Sequence, residues 1–404
     1  MSLLRYGHVT APVLGALWAV IMAVTLAVGF SFSTGIGFQP RVLLSLIFGL
    51  IAGGAYLTGA RRSVILVAMV VLGILVTLAG FGPIRVSGQG GSFLSVLTGV
   101  ALGLAVAYPL GAILNEVTPG ALTRHVFEEA VIRFLTGFGY IFFTAIVVIP
   151  FYVMVMTSLK SQQELLQNPL DFSIDLSKGT DLLRSYAELF ADFNFGSYLV
   201  TSLFISVMTV FITLAFSVPG AYAVARLRFR GQAAFSRSIL LIYMVPMIVL
   251  ALPIYIAYSM TGLRNSVLGI VLIYPVTTIP VALYMLQGYF RGLPAEVEEA
   301  GLMDGLSRLA VIWKITLPLS LPALASVSLY VFMIAWNEFL LAFMLLDDPS
   351  KFTLTRGVAM LNSSEIPRQH LMAGAVVATV PIMALFLGLE KFMTKGLTAG
   401  SVKG

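Results

Sequence analysis

The polar residues of this chain that could do chemistry are concentrated in one short stretch between two long apolar runs. Three carboxylates, Glu296, Glu298 and Glu299, follow Pro294. Proline suits the first turn of a helix, and carboxylates early in a helix are stabilised by its dipole. The spacing therefore predicts a short acidic helix, which either offers its charge to a partner or is simply a solvated face.

A second short helix is predicted directly after the acidic one. Gly305 can break the first helix, and Ser307 is a good N-cap for a helix from Arg308 to Thr316. That second helix would present the apolar side chains of Leu309, Ile312 and Trp313. The stretch 288–321 thus predicts a helix–turn–helix with acid on one arm and apolar side chains on the other.

No pattern in the sequence predicts catalysis by this chain itself. Cysteine is absent, and the three histidines, His8, His125 and His370, are too far apart in sequence for metal-ligand spacing. A G-x-x-x-x-G-K-[ST] sequence is missing as well, so the chain has no P-loop for ATP phosphates. We therefore expect a protein that is not an enzyme and that holds neither a metal nor a cofactor.

The composition predicts an all-α, polytopic membrane protein. The chain is 59% hydrophobic and only 10% charged, whereas soluble domains carry about 25% charged residues. A span needs about 20 apolar residues. Ten candidate spans are predicted at 11–30, 42–59, 63–83, 92–114, 135–157, 197–223, 238–258, 266–287, 322–345 and 372–390.

The distribution of basic residues predicts the orientation of these spans. Cytoplasmic loops carry an excess of Lys and Arg, and the cluster Arg226–Arg237 is the clearest one here. Both termini and the 288–321 loop are then cytoplasmic. The net charge of +6 is assigned to loops that meet anionic lipid in the bilayer, and no nucleic-acid partner is expected.

The spacing within 299–318 resembles the EAA loop of the permease subunits of ABC importers. The matching residues are Glu299, Ala300, Gly301, Asp304, Gly305, Ile315, Leu317 and Pro318. Gly301 departs from the family pattern, which has a second alanine at this position. The resemblance implies that this loop is the contact with the ATPase subunits.

The same resemblance implies a mechanism for the loop. Glu299 would meet a basic residue of the ATPase, while Ala300 and Gly301 would be small so that the helix approaches closely. Gly305 would make the turn. ATP and magnesium would be bound by the partner ATPases, whose closure would push the loop and rock the membrane helices.

The resemblance covers roughly 135–404 and is greatest to the smaller permease of maltose-type carbohydrate importers. Further matches are Pro150–Lys160, Tyr222–Gly231 and Trp336–Leu340. A permease for a di- or oligosaccharide of the maltose or α-glucoside type is implied, in the bacterial inner membrane. The implied partners are a second permease, two ATPase subunits and an extracytoplasmic sugar-binding protein.

Both ends of the chain carry separate expectations. Residues 1–120 are predicted as an N-terminal extension of about four helices, placed before a six-helix permease core at 121–404. The C-terminal tail resembles the family segment that inserts between the ATPases, although a frayed terminus is the alternative. The tail residues are Gly396, Leu397, Thr398, Ala399, Gly400 and Lys403.

Three residues are candidates for the substrate pathway: Asn337, Glu338 and Tyr243. A carboxylate inside a membrane span is a functional candidate, although a helix-end or interhelical hydrogen bond would explain Glu338 equally. Tyr243 could stack on a sugar, but packing is the commoner role of such rings. An ion-coupled secondary transporter is the alternative function, supported by Glu338 alone.

Overall fold

The computed structural model describes residues 5–87, 91–168 and 171–398, and within them not the side chains of 240, 242, 243 and 390–398. The chain forms two compact units, Met1–Leu182 and Leu183–Gly404. Apart from two three-residue strands, the regular elements described are helical, which confirms the predicted all-α class. The predicted boundary near residue 120 divides an extension from a family core rather than two compact units, and it stays a prediction.

The described residues of the first unit form six α-helices and two strands. The helices are α1 (Gly7–Thr34), α2 (Val42–Tyr56), α3 (Arg62–Leu78), α4 (Gly91–Ile113), α5 (Arg124–Ser158) and α6 (Gln162–Gln167). The strands are β1 (Phe38–Pro40) and β2 (Ile84–Val86), which pair antiparallel with Gln39 opposite Arg85. Segments 7–56 and 62–113 therefore share one helix–strand–helix arrangement.

Glycines allow the backbones to approach closely within each of these helix pairs. A Cβ at Gly49 of α2 would lie 2.2 Å from the carbonyl oxygen of Gly15 in α1. A Cβ at Gly73 of α3 would lie 2.4 Å from the carbonyl oxygen of Gly99 in α4. Small residues at helix contacts are a common way to pack helices in lipid, where burial of apolar surface gives no driving force.

A group of charged contacts in the first unit follows α5. The Lys160 ammonium is 3.1 Å from the Asp171 carboxylate and is almost fully buried. Ser161 and Glu164 form a capping box at the start of α6, and Lys178 pairs with the Glu164 carboxylate. This segment, 160–178, is thus held by charges.

The second unit begins in a 3₁₀ segment, Leu176–Leu183, which crosses the division between the units. Its helices in the first half are α7 (Arg184–Asp192), α8 (Phe195–Arg226), α9 (Gln232–Tyr243), α10 (Met247–Thr261) and α11 (Val267–Gly292). Helices α8 and α11 pack along their length, and the hydroxyls of Thr213 and Thr278 lie 2.6 Å apart between them. A buried polar contact therefore links the two helices.

The second half of this unit consists of shorter elements and one long final helix. They are α12 (Ala295–Met303), α13 (Arg308–Val311), a π-helical segment (Ile312–Thr316), α14 (Leu317–Leu319), α15 (Leu321–Asn337), α16 (Leu340–Leu345), a 3₁₀ turn (Pro349–Lys351), α17 (Leu354–Met360) and α18 (Arg368–Thr398). The core around α15 and α18 contains the buried Trp336, whose Nε1 donates to the Ala378 carbonyl at 3.0 Å.

The number of spans differs in part from the ten predicted. Within the described residues, six helices are long and apolar enough to cross a membrane, and a pair bent by 78° across 308–337 makes up to seven. Three shorter apolar helices, α2, α3 and α10, occupy further predicted spans. The membrane character is clear, while the count of ten is not confirmed.

Two predicted spans are broken in the structure, each next to a residue that interrupts a helix. The span at 238–258 divides into α9 and α10 at residues 244–246, because Pro246 removes a backbone donor and fixes an extended conformation before it. The span at 322–345 divides at Glu338, which has extended backbone angles. Apolar composition, on which the prediction rested, does not register such breaks.

Candidate coupling site

The 288–321 loop forms the predicted helix–turn–helix. Helix α12 begins after Pro294, and Gly305 adopts φ +85°, a left-handed conformation that glycine reaches without steric cost. The Ser307 hydroxyl accepts from the Ala310 backbone N–H at 3.3 Å, which is the predicted N-cap. The turn and the start of each arm are confirmed.

The second arm departs from prediction beyond Val311. The predicted α-helix Arg308–Thr316 is α-helical only at Arg308–Val311 and continues as a π-helix at Ile312–Thr316. Pro318 accounts for the change, since it lacks an N–H and its ring would clash with the Lys314 carbonyl in a regular α-helix. A wider π turn relieves that contact.

The arms of the loop expose an acidic and an apolar surface. Glu299 and Ala300 are exposed on α12. On the second arm Leu309 and Trp313 each leave 71% of their surface exposed. Exposed aromatic and aliphatic side chains beside a carboxylate are suited to docking a partner protein with basic and apolar residues.

Gly301 serves the packing of the loop itself. A Cβ at this position would lie 2.5 Å from the Cδ1 of Ile315, so the two arms meet where the family pattern has alanine. Gly301 is buried, whereas Ala300 next to it is exposed. Of the two small residues, only Ala300 faces outward, and the close approach that Gly301 permits here is to Ile315.

The remaining matched residues complete the same loop. Asp304 and Pro318 are exposed, and Leu317 is half-buried at the start of α14. Asp304 ends α12, where its backbone N–H donates to the Ala300 carbonyl at 2.9 Å. The eight predicted loop residues therefore all lie in this one helix–turn–helix, from α12 to α14.

Sequence reasoning missed the residue that anchors this loop. Glu298 is 8% exposed, and its carboxylate accepts from the hydroxyls of Thr316 at 3.0 Å and Tyr222 at 3.3 Å. The Arg226 Nε lies 3.5 Å from the same carboxylate. A guanidinium nitrogen of Arg226 also donates to the Leu293 carbonyl at 2.7 Å. Tyr222 and Arg226 are four residues apart, which places them on one helical face and is the signal that could have shown them to act together.

Two of the candidate pathway residues, Asn337 and Glu338, lie at the other end of α15. With a rise of about 1.5 Å per residue, the 17 residues of this helix separate them from the loop by about 25 Å. The Glu338 carboxylate accepts from the backbone N–H groups of Leu341 at 2.8 Å and Ala342 at 3.1 Å. Glu338 therefore satisfies the first turn of α16, which matches the helix-end interpretation.

The structure gives fewer contacts for the other predicted site residues. Asn337 is exposed, and its amide nitrogen donates to the Met333 carbonyl at 2.9 Å. Tyr243 ends α9, and its side chain lies outside the described residues. Of the predicted tail, Gly396, Leu397 and Thr398 end α18 without described side chains, and Ala399, Gly400 and Lys403 lie outside the described residues. In the part of the chain that the structure describes, no three His, Cys, Asp or Glu residues cluster as a metal site.

Comparison with known proteins identifies the family. A family model described as the binding-protein-dependent transport system inner membrane component matches residues 217–398. The inner membrane ABC transporter permease protein YcjP of Escherichia coli K12 is 35% identical over 269 residues, which cover 66% of this chain and 95% of that protein. The trehalose/maltose transport system permease protein MalG of Thermococcus litoralis is 32% identical over 281 residues, covering 69% of this chain and 99% of that protein.

A solved structure shares the fold. A chain in the crystal structure of a bacterial ABC transporter involved in the import of the acidic polysaccharide alginate superposes with a TM-score of 0.56. It is 23% identical, and the match covers 67% of this chain and 98% of that chain. At this identity the likeness shows the permease fold.

The helical membrane fold and these relatives together define an importer-type membrane subunit. This chain belongs to the family of inner-membrane components of binding-protein-dependent transport systems. It is a multi-pass protein of the bacterial inner membrane and a permease subunit of an ABC importer. The family predicted from the 299–318 spacing is thereby confirmed.

Proposed function

We propose that this chain is the smaller, maltose-type permease of a carbohydrate importer and that its 288–321 loop grips the ATPase subunits. The observation that carries the proposal is the exposed surface of Glu299, Leu309 and Trp313 on a loop whose arms are packed together. A compact docking element of this kind can transmit a displacement, because its two packed arms do not easily move relative to one another.

In this mechanism the chain contributes no nucleotide chemistry. Two partner ATPase subunits bind ATP and magnesium, and their closure displaces the loop. The Glu299 carboxylate pairs with a basic group of the ATPase, while Leu309 and Trp313 bury apolar surface against it. The chain and a second permease enclose the pathway, which a sugar-loaded extracytoplasmic binding protein feeds.

A matched pair of leucines tests the docking surface. Leu309 in the loop and Leu43 in α2 are both 71% exposed, so their truncation removes equal exposed apolar character. We expect Leu309→Ala to weaken ATPase co-purification on the order of tenfold, as loss of an interface residue worth about 1.4 kcal/mol would. Leu43→Ala should leave it unchanged. Equal retention of the ATPase by both variants would argue against the loop as the docking site.

The proposed substrate is a di- or oligosaccharide of the α-glucoside type. Support comes from relatives that are permeases for trehalose/maltose and for trehalose, at 32% and 34% identity. An arabinooligosaccharide permease at 31% identity shows that this level of likeness spans several sugars. Uptake of labelled maltose, trehalose and arabinotriose would separate these classes, and uptake of arabinotriose without uptake of either α-glucoside would refute the α-glucoside assignment.

Two further parts of the chain are given roles in this proposal. The tail from Gly396 to Lys403 inserts between the two ATPase subunits, and residues 1–120 form an assembly module ahead of the transport core. Deleting 396–404 should lower ATPase activity in the assembled complex while leaving the second permease bound. The ion-coupled alternative gains no support from Glu338, because its carboxylate already caps α16.

A further inference from the structure

The Glu298 carboxyl group is buried at the candidate coupling site, and nothing in the docking mechanism uses it. It lies one residue before the exposed Glu299 but points into the protein. A buried carboxylate is tolerated only when hydrogen bonds and an opposite charge replace its water. Here two hydroxyls and the Arg226 guanidinium do so.

The partners of Glu298 come from two different elements. Thr316 belongs to the π-helical segment of the second arm, and it is fully buried. Tyr222 and Arg226 belong to the last turns of α8, a long apolar helix. One carboxylate therefore joins both arms of the loop to a helix that spans the membrane.

Arg226 adds a second connection between α8 and the loop. Its guanidinium donates to the carbonyl of Leu293, the residue that ends α11 and leads into α12. The end of α8 is thus fixed both to the entrance of the loop and, through Glu298, to its middle. Breaking the pair would leave a charge buried without its counter-ion, so the arrangement resists opening.

We propose that Glu298, with Tyr222, Arg226 and Thr316, makes the coupling loop and the end of α8 one rigid body. Glu298 is then a positioning residue: it does not contact the ATPase, but directs the displacement of the loop into α8. This inference rests on the proposed function. Without this network, the loop would still dock to the ATPase but would move independently of α8. Its displacement would then not reach the membrane helices.

The chain offers a clean background for measuring this rigidity. It contains no cysteine, so two introduced cysteines are the only thiols of the chain available to spin labels. Ala223 near the end of α8 is half-buried, and Ala295 at the start of α12 is exposed. Electron paramagnetic resonance would give the distance between labels at these sites in the assembled complex, nucleotide-free and trapped with ADP-vanadate.

In the parent chain, where the Glu298 network is intact, the proposal predicts a single narrow distribution of distances between the two labels. Its centre should be the same in both nucleotide states. Glu298→Gln should keep the ATPases bound but lose that single narrow distance. The matched control Glu296→Gln removes an exposed charge of the same helix and should behave as the parent. Should Glu298→Gln fail to fold, Tyr222→Phe removes a single hydroxyl from the network and should still broaden the distribution.

Each other outcome is decisive. The rigid-body proposal is wrong if the label distance in the parent chain changes between nucleotide states. It is also wrong if the distance distribution of Glu298→Gln is as narrow as the parent's. Either result leaves the proposed function intact. If ATPases fail to co-purify with the parent chain, the proposed function fails and takes this inference with it.

Discussion

Different kinds of contact hold the helices together within each of the two compact units. In the first unit, helices α1 to α4 meet through glycines whose backbones touch. In the second unit, hydroxyls and charges are buried between helices, as in the Thr213–Thr278 pair and the Glu298 network. Backbone contacts of this kind leave no room for added volume, whereas a hydrogen-bonded contact is weakened when one of its partners is removed. The two units should therefore respond differently to substitution, the first to added volume and the second to the loss of a hydrogen-bond partner.

The largest loss of stability is expected for a substitution at a closely packed glycine of the first unit. A Cβ at Gly53 would lie 2.1 Å from the Ala11 carbonyl oxygen, whereas one at the neighbouring Gly54 would meet nothing within 4 Å. Gly53→Ala should destabilise the protein by about 1–3 kcal/mol through overpacking, and Gly54→Ala should be neutral or slightly stabilising. Thermal unfolding in detergent measures both, and equal melting temperatures would contradict the glycine-contact account.

In the second unit, loss of the Glu338 cap should rank next. Glu338→Leu leaves the N–H groups of Leu341 and Ala342 without their acceptor, at a cost of about 1–3 kcal/mol. Asn337→Ala, a change at the exposed neighbour, should cost much less. If Glu338→Leu retained full stability but abolished sugar uptake, Glu338 would belong to the pathway instead.

A smaller effect is expected for the buried hydroxyl pair of the second unit. Thr213→Val should cost about 0.6 kcal/mol, the average for hydrogen bonds between membrane helices. A double-mutant cycle with Thr278→Val checks the assignment, because the second substitution should then cost little more. Additive losses would mean that the two hydroxyls, though 2.6 Å apart, do not stabilise one another.

The smallest loss of stability is expected for the charged segment 160–178 of the first unit. Burial opposes ionisation of Glu164, but hydrogen bonds from Lys178 and Ser161 outweigh it and lower the pKa of this carboxyl to about 2. Because the folded pKa is depressed, the stabilisation is complete above pH 4.5 and is lost as the pH falls towards 2. The pair is partly exposed, so it is worth less than about 1 kcal/mol.

Acid titration of unfolding tests this sign. Glu164→Gln should remove the part of the stability loss that occurs between pH 4.5 and 2, and Lys178→Met should shift that loss to higher pH. A loss of the same size and position in all three proteins would show that Glu164 does not contribute.

Sequence reasoning predicted the backbone structure of the 288–321 loop well because its features are local. Pro294, Gly305 and Ser307 each determine backbone geometry within a few residues, and the structure has a helix start, a left-handed turn and a cap at these positions. The π-helical segment was missed because it depends on a clash between Pro318 and a carbonyl four residues earlier. Local rules register a proline but not how the preceding turn adapts to it.

Long-range contacts explain the remaining misses. Nothing in the order of residues shows that Glu298 rather than Glu299 turns inward, because that depends on Tyr222 and Arg226, more than 70 residues earlier in the chain. The glycine contacts between helices of the first unit were not predicted. Their role required knowing which helices pair, and apolar composition alone does not specify that.

The most direct test of the central claim is the ATPase activity of the reconstituted importer, with and without sugar-loaded binding protein. The account predicts strong stimulation with the parent chain and its loss in Glu299→Lys, which reverses the docking charge. Gly305→Asp should have the same effect, since aspartate fits poorly at φ +85°. Normal assembly together with normal stimulation in both variants would contradict the claim that the 288–321 loop couples this permease to its ATPases.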